Sequence, residues 1–381
     1  MGRLRGRSPR SLIASPVGGV ATLFLLNGVV LGSWLPRLPE IRDRLGMSLA
    51  AVGLTLAVGN VGGLVGSGIS GRVVGRFGAR AAALHPAGLV LALLPLIAFA
   101  PSPVALAAAV FVMAIADAVA DVGMNALAVR IQEVRSRSVF TRLHGLWSVG
   151  TLVGAAISTG AIAVGIGLGP QLMGTAVVAL LALAAAGRVL PPTERRARPR
   201  PHYRVALTLA LAGGGAALVE GIPSDWSAIF LTDVLDASAA VAGGGFIAVT
   251  VGMLVGRLGG DGIVDRFGPR RSLHASLALV AASTVLTVTA RSVILAMTGL
   301  ALWGLGVSVI LPLLYRLAGS HPGFGEGTGL AALTLGSRVG FLAGPAAVGA
   351  VAETAGLPWG VFAVVATGVV FAFLTVRSLQ H

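Results

Sequence analysis

The chain has 381 residues, of which 55% are hydrophobic and only 11% charged, against roughly a quarter charged in an ordinary soluble domain. With a mean hydropathy of +0.90, too little polar surface remains to clothe a large soluble fold, so apolar side chains must face lipid as well as one another. The net charge of +14 comes from 28 basic residues, all Arg, scattered as short clusters between apolar runs; this argues against a nucleic-acid surface and marks membrane topology instead. Absence of cysteine excludes disulfides, thiolate metal sites and a Cys nucleophile, and the six His make no HExxH pattern, so neither a metal nor a cofactor is expected.

In chain order, residues 1–14 are polar and basic, lack a short apolar stretch with a small-residue cleavage site, and read as a cytoplasmic tail. Twelve apolar stretches follow, each of about 20 residues, the length that crosses ~30 Å of hydrocarbon as a helix. They fall near residues 15–37, 49–72, 81–100, 103–129, 142–166 and 169–190, then 205–231, 238–263, 272–290, 293–317, 326–351 and 357–377. Tight hairpins are expected at Ala100-Pro101-Ser102-Pro103 and Gly167-Leu168-Gly169-Pro170. Arg-rich connections stay in the cytoplasm, which places Arg72, Arg76, Arg80, Arg130, Arg142, Arg266, Arg270 and both termini inside the cell. Arg37, Arg42 and Arg44, after the first span, are the exception to this alternation.

The longest polar interruption, residues 191–204, is rich in Pro and Arg and sits at the chain midpoint. It reads as a cytoplasmic linker between residues 15–190 and residues 205–378. A repeat supports the division: Arg76-Phe77-Gly78-Ala79-Arg80 matches Arg266-Phe267-Gly268-Pro269-Arg270 at an offset of 190 residues, half the chain. At the same offset Gly150 and Gly154 fall on Gly340 and Gly344. Six helices followed by six similar helices in the same orientation is a parallel duplication.

At these residues the chain resembles the major facilitator superfamily, whose connection between the second and third helices reads approximately G-x-x-x-D-R-x-G-R-[RK]. The two copies here are Gly71-Arg72-Val73-Val74-Gly75-Arg76-Phe77-Gly78-Ala79-Arg80 and Asp261-Gly262-Ile263-Val264-Asp265-Arg266-Phe267-Gly268-Pro269-Arg270-Arg271. Asp121-Val122-Gly123-Met124-Asn125, His144-Gly145-Leu146-Trp147-Ser148 and Glu220-Gly221 with Asp225-Trp226-Ser227 are similar to its fucose-permease-like branch of bacterial inner-membrane proteins. The resemblance implies an all-α membrane protein of twelve transmembrane helices in two pseudo-symmetric six-helix bundles. It also implies alternating access around a central site, often with proton cotransport, and a sugar-like solute. The first copy departs from the pattern with Gly75 in place of Asp, and the first span offers Asn27 rather than an acid.

Ionisable groups inside a span are costly, by ~2.5–3.5 kcal/mol at the centre, so they mark cavities. In the fourth span Asp117, Asp121 and Asn125 share one face at i, i+4, i+8; apolar surroundings and mutual repulsion suit the two acids to taking and releasing a proton, against the alternative of pairing with Arg at helix ends. Glu220 lies well inside the seventh span, and Pro223 beyond it is expected to bend or break that helix and free backbone carbonyls into a cavity. His144, Trp147, Ser148 and Thr151 form a polar face in the fifth span, with His144 reaching the fourth-span carboxylates or else simply interfacial. Trp34 and Trp226 occupy corresponding places in the halves, either as an aromatic belt or stacked on a ligand. Arg338, among apolar residues of the eleventh span, calls for an anionic partner, a carboxylate or an acidic substrate.

Arg257, Asp261 and Asp265 form a second i, i+4, i+8 stripe at the cytoplasmic end of the eighth span. With Arg76, Arg80, Arg266 and Arg270 it resembles a gating network whose pairs form in one conformation and break in the other. The expected substrate-binding set is thus Asn27, Asn125, His144, Trp147, Glu220, Trp226 and Arg338, with proton coupling through Asp117, Asp121 or Glu220. The reading is a proton-coupled secondary transporter of a small polar solute in the inner membrane, working as a monomer, with membrane lipid, protons and the small molecule as its partners. A P-loop is impossible without Lys, and no catalytic constellation is present, so an enzyme is not expected. An efflux antiporter of the same fold and a non-transporting receptor are the alternatives.

Overall fold

The computed structural model of the protein describes residues 15–135, 140–190, 207–314 and 328–378. Among these there is no strand, and 12 helices are long and apolar enough to cross a membrane. In the first half they are α1 (Pro16–Trp34), α2 (Leu49–Phe77), α3 (Ala79–Leu93), α4 (Pro103–Arg135), α5 (Phe140–Ala163) and α6 (Leu168–Val189). The second half holds α7 (Leu207–Leu235), α8 (Ala239–Phe267), α9 (Pro269–Val288), α10 (Val293–Val307), α11 (Thr328–Ala355) and α12 (Leu357–Ser378). A 3-10 turn, Leu35–Arg37, carries α1 into a short helix, Leu38–Arg44. Residues 1–14 and the expected linker, 191–204, lie outside the described residues.

Helix starts are written locally. Ser15, Ser48, Ser102 and Ser292 each accept a hydrogen bond from the backbone N–H three residues on, at 3.2–3.3 Å, satisfying a donor that the first helical turn leaves orphaned. The duplicated motif turns out not to be a loop. α2 and α8 run through it to Phe77 and Phe267, because nothing before Gly78 and Gly268 breaks a helix, and those glycines alone, at φ 84° and 82°, turn the chain into the next span. Arg76 lies over the Phe77 ring and Arg266 over the Phe267 ring, both 5.5 Å from the ring centre, so the two copies adopt one conformation.

The repeat extends to packing. α1 packs on α5 as α7 packs on α11, and α2 on α4 as α8 on α10. At the first pair of contacts a Cβ on Gly150 would collide with the Leu25 carbonyl, and one on Gly340 with that of Gly214. At the second, Gly62 meets the Phe111 carbonyl and Gly252 that of Ala301. Lipid gives helices no hydrophobic reason to associate, so close backbone approach at small residues holds each bundle together. Outward faces carry large apolar groups such as Val104, Leu181, Leu258 and Ile294.

The halves meet along α2 with α11 and α5 with α8. Among the described residues these contacts cluster toward one end. Gly53 abuts the Pro345 carbonyl, Gly349 abuts Leu49, and Gly243 abuts Thr159. The Ala50 N–H donates to Glu353 Oε1 at 2.9 Å, and Arg42 pairs with Asp233. Five helical turns beyond Gly53, on the same face of α2, Gly71 is exposed and meets nothing within 4 Å. Among the described residues, the molecule is therefore closed at the end bearing residues 49–53 and 345–353 and open at the end bearing the duplicated Arg motif.

Arg37, Arg42 and Arg44 belong to the closed end. Arg37 is 3% exposed and holds Glu40 (2.7 Å) and the Ile166 carbonyl (3.1 Å); Arg44 donates to the carbonyls of Ile97 and Ala100. Their exception to the charge alternation has a structural reason, since each is consumed in tying chain segments together.

Candidate functional site

The polar groups inside the spans gather in two clusters at one depth. In the first half, Asn27 of α1 stands between Asp117 of α4 and Trp147 of α5: Trp147 Nε1 donates to Asn27 Oδ1 at 2.8 Å, and Asn27 Nδ2 donates to Asp117 Oδ1 at 2.5 Å. An indole can only donate, so it fixes the amide with its NH2 toward the carboxylate. One turn further along α4, Asn125 Nδ2 donates to Asp121 Oδ1 at 2.9 Å, and Asp121 is exposed. On this face Asp117 is held by Asn27 and Asp121 by Asn125.

Ser148, the residue after Trp147, begins the second cluster. Arg257 of α8 donates to Ser148 Oγ at 3.1 Å across the boundary between halves, and pairs with Glu220 Oε1 of α7 at 3.3 Å within its own half. Glu220 is 17% exposed and Arg257 34%, so the pair borders open space rather than a sealed core. Beyond the expected stripe with Asp261 and Asp265, Arg257 thus reaches Glu220 and Ser148; the Asp261 side chain lies outside the described residues.

Pro223 leaves α7 unbroken from Leu207 to Leu235. The carbonyl that it deprives of a helical donor is that of Val219, four residues earlier, and Trp303 Nε1 of α10 donates to that oxygen at 2.9 Å. A neighbouring indole, not a cavity, satisfies it. The same device recurs in α11: Pro345 frees the Phe341 carbonyl, and Asn60 Nδ2 donates to it at 2.7 Å. That donor comes from α2, in the opposite half. Neither Asn60 nor Trp303 stands out in the sequence; the only signal is a proline within an apolar run, which says that some donor is needed and not which.

The remaining expected residues are dispersed. Trp226 is 1% exposed within the core of the second half, and its indole N–H has no partner there, so it neither forms an interfacial belt nor lines the open space. Arg338 is partly buried and makes no ion pair among the described residues. Arg80 donates to the Gly187 carbonyl at 2.7 Å, tying α3 to α6 within one half. Asp265, Arg266 and Arg270 are mostly exposed at the open end and join no ion pair among the described residues. The side chains of His144 and Asp261 lie outside the described residues, as does Arg316.

Twelve spans in two repeated bundles, closed at one end over a central polar layer, define the class as a polytopic membrane protein built by duplication. The chain belongs to the Major Facilitator Superfamily, whose family model matches residues 20–213. It is 31% identical over 339 residues, 88% of each chain, to an MFS-type transporter of Yersinia pestis. It is also 26% identical to the membrane protein MosC of Rhizobium meliloti, over 96% of this chain and 90% of that one. Among solved structures it is similar in fold to the nucleoside transporter NupG, with a TM-score of 0.75 at 12% identity over 95% of this chain and 98% of that one. The human organic anion transporter MFSD10 has a TM-score of 0.64 at 16% identity, over 97% of this chain and 100% of that one. The protein is thus a multi-pass membrane transporter of a small molecule and not an enzyme.

Proposed function

We propose that the protein is a proton-coupled secondary transporter that carries a small organic solute by alternating access, with both termini and the open end in the cytoplasm of a bacterial cell. One observation carries the reading: Arg257 bridges Ser148 of one half and Glu220 of the other at the depth where the closed end gives way to the open one. A group that joins the halves at the midplane must be released or re-paired when the closed and open ends exchange, so the state of Glu220 is coupled to the conformation. Arg72, Arg76, Arg80, Arg266 and Arg270 at the open end support its cytoplasmic orientation by the positive-inside rule, which makes this conformation inward-facing. Asp117 and Glu220, within spans and bordering space, are the proton carriers on this reading, and Asn27, Trp147 and Asp117 the first contacts for solute. A sugar-like solute, implied by the resemblance, suits the Asn27–Trp147 pair but not the aliphatic walls around it.

The test is flux in liposomes containing purified protein and an internal pH dye. A transported compound moves protons in the wild type. Glu220→Gln is expected to abolish uphill, proton-driven flux while sparing solute counterflow, and undiminished uphill flux in that variant removes Glu220 from coupling. Direction is read from the same vesicles, since uptake moves protons with the solute and efflux exchange moves them against it.

A further inference from the structure

Two cavities adjoin at Asp117. The larger, about 610 Å³ counting the space that communicates with solvent, has Trp34 and Trp147 on its walls together with Val30, Leu31, Val110 and Met113. The smaller, with free room for about one water molecule, continues between α1, α3, α4 and α6 past Leu23, Ala87, Leu91 and Met124. Asn27, Val30, Val90 and Asp117 line both, so the two form one slot lying wholly in the first half. Among the described residues lining it, Asp117 is the one that ionises.

The hydrogen bonding narrows what fits. Asn27 Oδ1 is taken by Trp147, the only N–H of Trp147 is thereby used, and Asp117 Oδ1 is taken by Asn27. Asp117 Oδ2 has no partner among the described residues. What the slot offers a ligand is therefore a carboxylate oxygen, the second N–H of the Asn27 amide, two indole side chains and aliphatic walls. A second anion would be repelled by Asp117, and a polyol would leave most of its hydroxyls against Val, Leu and Met, where each costs free energy. An ammonium on Asp117 gains a charge-assisted hydrogen bond, while an apolar body packs against the indole side chains and fills the rest.

We propose that this slot binds a monovalent organic cation with an apolar body, its ammonium on Asp117 and its hydrophobic part between α1, α3 and α4. The proposal names the substrate class of the transport reading above and rests on it. The test uses full-length protein in nanodiscs and three ligands of matched shape: naphthylethylamine, naphthylethanol and naphthylpropionate, titrated calorimetrically with empty nanodiscs subtracted. The amine is expected to bind at least about tenfold more tightly than the alcohol, the size of one charge-assisted hydrogen bond, and the acid not to bind. Asp117→Asn should erase the preference of amine over alcohol, and Asp117→Glu should keep it. Equal binding of the three by the wild type, or a preference that survives in Asp117→Asn, overturns the proposal. The wild-type comparison decides even if a variant fails to fold. Because it reads equilibrium binding and no flux, its failure leaves alternating access standing, whereas a protein that binds the amine yet moves nothing refutes transport and not the slot.

Discussion

The hydrogen bond from Asn60 to the Phe341 carbonyl holds the closed end, and its strength can be worked out. Pro345 removes the helical donor to that carbonyl, so the oxygen relies on Asn60 Nδ2, 2.7 Å away in the other half, whenever the end is closed. When the end opens, water reaches the oxygen and takes over. Asn60→Val removes the donor and leaves the carbonyl buried only in the closed state. Interhelical hydrogen bonds in membranes average about 0.6 and reach about 1.7 kcal/mol, and a stranded buried acceptor costs about 1–3 kcal/mol, which together place the closed-state penalty near 1.4 kcal/mol. The closed-to-open ratio should therefore fall roughly tenfold. The wild-type chain contains no cysteine, so spin labels on single cysteines at exposed Pro101 and Ala355 report the separation of the halves at that end by pulsed electron resonance. Pro345→Ala gives the Phe341 carbonyl a helical N–H in both states, so the double variant should return toward the wild-type distance distribution. An unchanged distribution in Asn60→Val, or strictly additive effects of the two substitutions, would falsify the reasoning.

Other perturbations separate contacts within a half from contacts between halves. Trp303→Phe strands the Val219 carbonyl inside the second half in every conformation; it should lower thermal stability by about 1–2 kcal/mol, be relieved by Pro223→Ala, and leave the label distances unchanged. Gly53→Val places a side chain where the Pro345 carbonyl sits, so the same labels should report a permanently widened end with little loss of stability in the first half; a normal closed-end distance would show that α2 and α11 can yield there. Arg42→Ala breaks a pair near the water interface between the halves, and the expected shift is small, within about 1 kcal/mol and diminishing with added salt.

Much of the architecture was legible without coordinates because its signals are local. Apolar stretches long enough to span and Arg clusters between them act residue by residue. The doubled Arg-Phe-Gly motif exposed the duplication, and the 190-residue offset even located glycines such as Gly150 and Gly340 that prove to be backbone contacts. Lipid imposes this legibility, since each span must satisfy its own backbone and can hide few charges. Asp117, Glu220 and Asn27 were recognisable on that ground alone, as polar groups where none is comfortable.

Partnership was not legible, because it joins residues far apart in the chain. Arg257 sits at regular helical spacing from Asp261 and Asp265, yet Glu220, 37 positions earlier, takes it, along with Ser148, 109 positions away. Trp226 has the composition of an interfacial anchor and is buried inside a bundle, while Trp303, without any motif, repairs the gap that Pro223 makes. Periodicity tells which residues share a face of one helix; it carries no information on the rotation or depth of the helix opposite. The packing of glycine surfaces sets those, and with them which donor meets which acceptor and which end of the molecule is shut.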